Sequence, residues 1–192
     1  VMMLDTYGVK KVYGIKGGFL GVTRPHTWMT LTPDSVVDIH MCGGSILVNG
    51  IGNPPEDEMA RTLQKRGVRT FFVVGGHGTH RCALNVHREI MALKHECSVF
   101  GIPQAVDNDI SLLDKTFGFE TACTEANKVI DSVYVEATCN SNCVGLVKLL
   151  GKDSGYIPMS ATLAARHVDI CLLPEMEIQL ERLHQHIELL LK

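Results

Sequence analysis

Residues 71–110 constrain the fold of this chain more than any other part of its sequence. Two short apolar runs, residues 71–74 and 98–102, each end in a polar loop, and a helical pattern separates them. The first loop, GGHGT at 75–79, is rich in glycine, which lets backbone N–H groups come close to a phosphate. The second loop places Asp107 and Asp109 after the next predicted strand. Because open α/β sheets bind ligands at the carboxyl ends of their strands, this order predicts a phosphate cradle beside a carboxylate pair, as phosphoryl transfer to a hydroxyl requires.

The rest of the chain alternates between strand-like and helix-like segments, which favours an α/β fold with a doubly wound, mainly parallel sheet flanked by helices. We expect residues 71–74 to be buried on both faces, as in a parallel sheet. The predicted strands are residues 11–15, 71–74, 97–102, 144–150 and 168–173. The predicted helices are residues 54–65, 79–93, 116–138 and 160–166, with an amphipathic tail from about 178. Residues 22–41 read mostly as loop, with a short helix near 35–40.

Two helices carry apolar residues at helical spacing. In the predicted helix 116–138 the stripe is Ala122, Ala126, Val129, Val133 and Ala137. In the C-terminal tail the aligned residues are Leu183, Ile187 and Leu190, which we expect to form core or a subunit contact rather than a membrane helix.

Composition excludes several classes of protein. A chain of 192 residues with 45% apolar and 20% charged residues is typical of a globular domain with a substantial core. A formal net charge of −3 gives no basic footprint for nucleic acid. No apolar run approaches the ~20 residues of a membrane span. The seven cysteines show no metal-ligand spacing, which favours reduced thiols.

Five ordered motifs make the sequence similar to a known family: GGHGTH, IPQAVDNDI, DKTFGFETA, GLVKLLGKDSGYIPMSATLA and VDICLLPE. Together they resemble the phosphofructokinases, and most of all the plant and protist ATP-dependent branch. The resemblance covers nearly the whole chain from about Tyr7. It implies that residues 1–192 are one partial phosphofructokinase-like α/β domain, with the second family domain largely absent. The chain begins at Val1, and we expect it to be a piece of a longer polypeptide.

The resemblance also implies roles for individual residues. Asp107 stands at the position of the catalytic base, which accepts the proton of the sugar 1-hydroxyl. The nucleotide-phosphate loop corresponds to Gly75, Gly76, Gly78 and Thr79. Substrate-binding positions correspond to Ala105, Val106, Asp107, Asp109, Leu150, Gly151, Lys152 and Glu175, of which Glu175 holds sugar hydroxyls.

The same resemblance implies ATP and Mg²⁺ as nucleotide and cofactor, with fructose 6-phosphate as acceptor. Pyrophosphate users of the family carry aspartate where Gly78 stands and lysine where Gln104 stands, so ATP is the expected donor. A cytosolic or plastid setting and a homo-oligomer are expected as well, with no nucleic-acid or membrane partner.

Several positions depart from the family pattern. His77 replaces the aspartate that holds Mg²⁺, and imidazole is a poor ligand for a hard cation. Ala105 replaces a threonine, Lys152 an arginine, and Ile51 a nucleotide-contacting arginine. The glycine-rich N-terminal phosphate loop and the C-terminal sugar-phosphate residues have no counterpart in the chain. We therefore expect it to be weakly active or inactive on its own, because phosphoryl transfer depends on positioning and charge.

Two hypotheses follow. The first is an ATP-dependent 6-phosphofructokinase homologue with Asp107 as base. The second is a degenerate, non-catalytic homologue or fragment that binds nucleotide or sugar phosphate weakly, or associates with an intact family member. A transition-metal pair of His77 and His80 is a further alternative, although the sequence shows no third ligand.

Overall fold

A computed structural model describes residues 1–191 of the chain. The described residues form a mixture of helices and short strands. The helices are α1 (Met2–Thr6), α2 (Pro33–Val36), α3 (Glu56–Lys65), α4 (His77–Ala92), α5 (Phe119–Cys139), α6 (Tyr156–Ala165) and α7 (Leu180–Leu190). The strands are β1 (Tyr13–Ile15), β2 (Trp28–Thr30), β3 (Thr70–Gly75) and β4 (Ser98–Pro103). The predicted α/β class is confirmed.

The pair β3–β4 is parallel and forms the framework of the candidate site. Ser98 N–H donates to the Arg69 carbonyl at 2.9 Å, and Gln104 N–H donates to the Gly75 carbonyl at 3.0 Å. The partners thus advance together along both strands, which defines a parallel register. Helix α4 forms the crossover between the two strands, as a parallel connection requires.

Helix α3 shows how the local sequence sets the bounds of an element. Pro55 is the N-cap, and the first turn holds Glu56, Asp57 and Glu58, whose charges favour the positive end of the helix. Gly67 then takes a φ of 65°, a left-handed conformation that suits glycine after a helix. The prediction of a helix over 54–65 is confirmed.

The chain divides into two compact units. The first comprises residues 1–73 and 79–101, and its core contains Met59, Leu63, Val86 and Ile90, all fully buried. Cys82 and Cys97 join this core, and burial raises the pKa of both thiols. These two thiols therefore act as small buried hydrophobes.

The second unit comprises residues 74–78 and those from Ile102 onward. Helices α5 and α6 pack together, with Ala126, Ile130 and Ala161 in their shared core. Val147 and Leu149 pack against that cluster from the preceding extended segment. Burial also raises the pKa of the Cys123 thiol on α5.

Several predicted features of the fold are wrong. Residues 144–150 and 168–173 form no strand, because a strand needs a hydrogen-bonded neighbour and neither segment pairs with one. Strand β3 is buried on one side only, since Phe72 and Val74 are half exposed. Residues 22–41, read mostly as loop, contain β2, which pairs antiparallel with β1.

Two boundaries and one stripe also differ from the prediction. Helix α6 begins at Tyr156 rather than at 160, and α5 begins at Phe119 rather than at 116. On α5 the buried residues include Ile130, whereas Val129 of the predicted stripe is half exposed. The C-terminal helix α7 has no buried residue among those described.

Candidate functional site

The glycine loop follows β3 and leads directly into α4. Gly75 accepts a backbone hydrogen bond from Gln104 at 3.0 Å. A Cβ added at Gly76 would lie 3.4 Å from the Cβ of Ala105. Two sequence-predicted loops, the glycine loop and the loop after β4, are therefore in direct contact in the second unit.

The start of α4 brings together backbone N–H groups of the kind that can bind an anion. The helix is 16 residues long and begins at His77, so its first N–H groups have no partner within the helix. A Cβ added at Gly78 would meet no atom within 4 Å. Open space beside a helix N-terminus suits a phosphate group. Thr79 lies in the same first turn and is partly exposed.

The loop after β4 is organised by Asn108, a residue to which the sequence reasoning assigned no role. Asn108 is only 7% exposed and has a φ of 53°, a left-handed conformation that asparagine tolerates. Its Oδ1 accepts the backbone N–H of Thr116 at 2.8 Å, and its Nδ2 donates to the Asp114 carbonyl at 3.1 Å. The amide thus fixes the loop across eight residues of chain.

Thr116 completes this framework. Its hydroxyl donates to the backbone carbonyl of Ala105 and lies 3.3 Å from Asn108 Oδ1. Val106 packs beside Gly118, where an added Cβ would lie 3.3 Å from its Cγ1. A buried polar group with its partners satisfied stabilises one conformation of a loop. The described structure therefore holds residues 105–109 in a defined path.

Asp107 and Asp109 flank the buried Asn108 and differ in exposure. Asp107 is partly buried, whereas Asp109 is exposed. The backbone carbonyl of Asp107 accepts a hydrogen bond from the hydroxyl of Ser154 at 2.8 Å. Ser154 N–H in turn donates to the Gly151 carbonyl at 2.7 Å. The predicted base and the predicted substrate position Gly151 are thus joined through one serine.

The turn at Gly151 presents its neighbours to solvent. Gly151 is buried with a φ of 146°, and Lys152 has a φ of 48°. Lys152 is exposed, and its Nζ lies 4.0 Å from an Asp153 carboxylate oxygen. Such an exposed pair contributes little to stability. Leu150 is also largely exposed, so its side chain supports no buried contact.

Glu175 caps the start of α6. Its Oε1 accepts the backbone N–H of Gly155 at 2.8 Å, and Gly155 is the N-cap of that helix. A carboxylate at this end of a helix also meets the positive end of the dipole. One carboxylate oxygen of this predicted sugar-binding residue is therefore engaged within the protein.

Comparison with known proteins decides the family. A model described as phosphofructokinase matches residues 1–192. The chain belongs to the phosphofructokinase family. It is 43% identical over 181 residues to ATP-dependent 6-phosphofructokinase 5, chloroplastic, from Arabidopsis thaliana, covering 94% of this chain and 34% of that protein. It is 42% identical over 177 residues to the ATP-dependent 6-phosphofructokinase of Trypanosoma cruzi, covering 91% of this chain and 36% of that protein.

Solved structures support the same fold. Pichia pastoris phosphofructokinase in the T-state matches with a TM-score of 0.78 at 22% identity, over 94% of this chain and 19% of that one. The pyrophosphate-dependent phosphofructokinase of Marinobacter aquaeolei matches with a TM-score of 0.73 at 17% identity, over 96% of this chain and 49% of that one. The chain spans about a third of the length of the curated relatives named above.

In this phosphofructokinase-family chain, the position of His77 does not offer a magnesium site. His77 is exposed, and its imidazole is a nitrogen donor, whereas Mg²⁺ requires oxygen ligands. Within residues 1–191, no three His, Cys, Asp or Glu side chains are grouped closely enough to hold a metal ion. His77 therefore supplies no oxygen ligand for a Mg²⁺ ion at this position.

Two further positions, Lys115 in the second unit and Ile51 in the first, lie at the surface. Lys115 pairs with Glu120, and this hydrogen bond, helped by the negative charge, raises the pKa of the exposed Lys115 ammonium. Ile51, the predicted counterpart of a nucleotide-contacting arginine, lies in the first unit with its side chain almost fully exposed. An aliphatic group there supplies no charge.

The α-helices of this family member range from 4 to 21 residues in length. None of them, over residues 1–191, is long and apolar enough to cross a membrane.

Proposed function

We propose that this chain carries the phosphate cradle and the proton-accepting carboxylate of an ATP-dependent 6-phosphofructokinase. The observation that supports this most is the pairing of β3 with β4, which sets the glycine loop against the Asp107 loop. The acceptor would be fructose 6-phosphate and the products fructose 1,6-bisphosphate and ADP. The naming of the Arabidopsis and Trypanosoma relatives as ATP-dependent 6-phosphofructokinases supports the reaction class.

The reaction assigns one task to each loop. The hydroxyl oxygen of the sugar forms a bond to the γ-phosphorus, and the bond from that phosphorus to the bridging oxygen breaks, with its electron pair leaving on ADP. Asp107 takes the hydroxyl proton, a task that a positioned carboxylate performs. The N–H groups at the start of α4, beside Gly76 and Gly78, bind the phosphate oxygens.

The sugar side involves the other predicted positions. We assign Glu175 to sugar hydroxyls through its second carboxylate oxygen, because Oε1 is bonded to Gly155. Gly151 and Lys152 border the acceptor, with Lys152 as a point charge rather than a planar fork. Val106 and Asp109 flank Asp107 on the same loop.

ATP rather than pyrophosphate is the proposed donor. The space around Gly78 is open, whereas an aspartate side chain there would occupy it. Gln104 adds no charge to the loop. Because His77 is not a magnesium ligand, we assign no step to a protein-held metal. A cytosolic or plastid setting and a homo-oligomer complete the proposal, and the chloroplastic name of one relative supports the plastid.

A coupled assay that follows ADP formation tests the proposal. Purified chain with ATP and fructose 6-phosphate should release ADP, and Asp107→Asn should lower the rate by about 10²–10⁴-fold because the base is lost. Asp114→Asn is the matched control, since Asp114 contributes only its backbone carbonyl to the loop. A wild-type rate equal to that of Asp107→Asn would refute the catalytic proposal.

A second candidate function is non-catalytic. It is favoured by His77, Ala105 and Lys152, which remove a metal ligand, a hydroxyl and a planar cation from the family pattern, and by the exposed Ile51. The chain would then bind nucleotide or sugar phosphate weakly, or associate with an intact family member. Calorimetry with ATP and with fructose 6-phosphate, together with co-purification with an intact phosphofructokinase, separates this candidate from the first.

The variant His77→Asp tests whether the glycine loop is otherwise intact. Restoring a carboxylate supplies the hard oxygen donor that Mg²⁺ prefers, so ATP should bind more tightly with Mg²⁺ than without it. Wild-type chain is the control in the same titration. Equal affinities of the variant with and without Mg²⁺ would show that this loop does not form a metal–nucleotide site.

A further inference from the structure

Ser154 is a buried serine that has no role in the proposed function but hydrogen-bonds to two of its residues. It is 8% exposed, so its hydroxyl is removed from bulk water. That hydroxyl donates to the Asp107 carbonyl at 2.8 Å, across 47 residues of chain. Its backbone N–H donates to the Gly151 carbonyl at 2.7 Å. One residue thus bonds to both the predicted base and the predicted substrate turn.

The hydrogen bond acts on the backbone that carries the base. It fixes the carbonyl of the peptide that joins Asp107 to Asn108. The other side of this peptide is already fixed, because the Asn108 side chain binds Thr116 and Asp114. With both sides held, the Cα–Cβ direction of Asp107 has little freedom. A shift of about 1 Å at a reacting group can cost on the order of 10²-fold in rate.

The turn that supplies Ser154 is itself tightly determined. Gly151 has a φ of 146°, which side-chain-bearing residues rarely adopt, and a Cβ there would overlap the Ser154 carbonyl. Position 151 therefore requires glycine, and the Ser154 N–H bond to the Gly151 carbonyl ties the two residues within this turn. The Ser154 hydroxyl connects the same turn to the Asp107 peptide.

We propose that Ser154 is a positioning residue that couples the Gly151 turn to Asp107, so that the sugar-binding turn sets the orientation of the base. The proposal rests on the proposed function for its catalytic consequence. Its structural part, a mutual restraint of two loops, is independent of turnover.

Hydrogen exchange of the whole chain tests the structural part. Ser154→Ala should speed amide exchange in residues 105–110 by about fivefold, the factor that one ordinary hydrogen bond supplies. Ser154→Thr keeps a hydroxyl and should restore slow exchange. Ser141→Ala, which removes an exposed serine hydroxyl after α5, should change nothing in residues 105–110. Unchanged exchange in Ser154→Ala, or an equal rise in α3 and α4, would overturn the proposal.

Kinetics tests the catalytic part and separates the two proposals. If wild-type chain turns over, Ser154→Ala should lower kcat by about 10–10²-fold, leave the KM for ATP within about twofold, and be rescued by Ser154→Thr. A wild-type kcat in Ser154→Ala would overturn the role of Ser154. Absence of turnover in wild type would refute the proposed function alone, and the exchange result would still decide whether Ser154 restrains the loop.

Discussion

The two loops of the candidate site are built in different ways. The loop after β4 is held by buried side-chain hydrogen bonds that Asn108, Thr116 and Ser154 make to distant backbone groups. The loop after β3 is shaped by glycine and by the start of α4, and two of its residues, His77 and Gly78, are exposed. The first loop is an organised framework, whereas the second is a surface of backbone donors.

The difference explains why a departure from the family pattern at His77 leaves the fold undisturbed. His77 faces solvent, so replacing a carboxylate there disturbs no packing. Asn108 is buried with both ends of its amide bonded, so a change there would leave polar groups unpaired. A chemical function can therefore be lost from the glycine loop while the fold of the Asp107 loop is kept.

The largest effect should come from Asn108→Ala in the organised loop. The substitution leaves the Thr116 N–H and the Asp114 carbonyl without their partner and places alanine at a φ of 53°. We expect a loss of about 2–4 kcal/mol in the free energy of unfolding, measured by urea denaturation.

Asn140→Ala is the control for that measurement. Its amide donates to the Glu136 carbonyl at 2.9 Å but is exposed, so the loss should stay near 0.5 kcal/mol or less. Equal losses of unfolding free energy in Asn108→Ala and Asn140→Ala would contradict the claim that the buried Asn108 amide holds its loop more strongly than an exposed amide does.

A smaller effect is expected from Thr116→Val. Valine keeps the branched shape but loses the hydroxyl that donates to the Ala105 carbonyl, so we expect a loss of about 1–2 kcal/mol in unfolding free energy. Thr138→Val removes an exposed hydroxyl bonded to the Tyr134 carbonyl at 2.9 Å and should cost much less. A Thr116→Val variant as stable as wild type would show that this bond does not hold the loop.

The smallest effect on stability, with the opposite sign, should come from Gly78→Ala. Alanine favours the helix and meets no atom, so unfolding free energy should rise by about 0.5 kcal/mol. ATP affinity, measured by calorimetry, should fall by about tenfold or more, because the added Cβ occupies the open space through which a phosphate would reach the backbone N–H groups, and hydrogen bonds to charged groups are worth about 1.5–3 kcal/mol each.

Gly67→Ala provides the matched control for the glycine loop. Gly67 also has open space around it but a φ of 65°, so alanine there should lower stability by about 1 kcal/mol without changing ATP binding. A loss of stability in Gly78→Ala would show that this glycine serves the fold rather than a ligand.

Local signals were sufficient to predict much of the fold. Helix α3 carries its local signals in the sequence, with Pro54 and Pro55 before its first turn and Gly67 after its last, and α4 and β4 carry theirs in periodicity and flanking loops. These features depend on residues close in sequence. The strand prediction for 144–150 was wrong because an apolar pattern indicates only which side chains pack inward. Val147 and Leu149 do pack inward, but no strand pairs with this segment among the described residues.

The organisation of the candidate site could not be predicted because it depends on contacts between residues that are distant in sequence. The bond from Ser154 to Asp107 joins residues 47 positions apart, and the role of Asn108 depends on Thr116 eight residues away. Asparagine between two aspartates reads as an ordinary turn residue. The tolerance of asparagine for positive φ is the one signal that could have indicated a special position.

The hydrogen bond between Glu175 and Gly155 makes the residue allowed at one of these positions depend on the residue at the other. Oε1 accepts the Gly155 N–H, and a Cβ at Gly155 would lie 2.6 Å from Oε2 of the same carboxylate. Any larger residue at 155 must displace the glutamate, and a shorter residue at 175 removes this tightest contact, which leaves Leu173 Cδ2 at 3.0 Å from the added Cβ. In a library randomised at both positions, we expect the two residues of each surviving variant to be correlated. Residues other than glycine should occur at 155 only in variants that have lost the glutamate at 175.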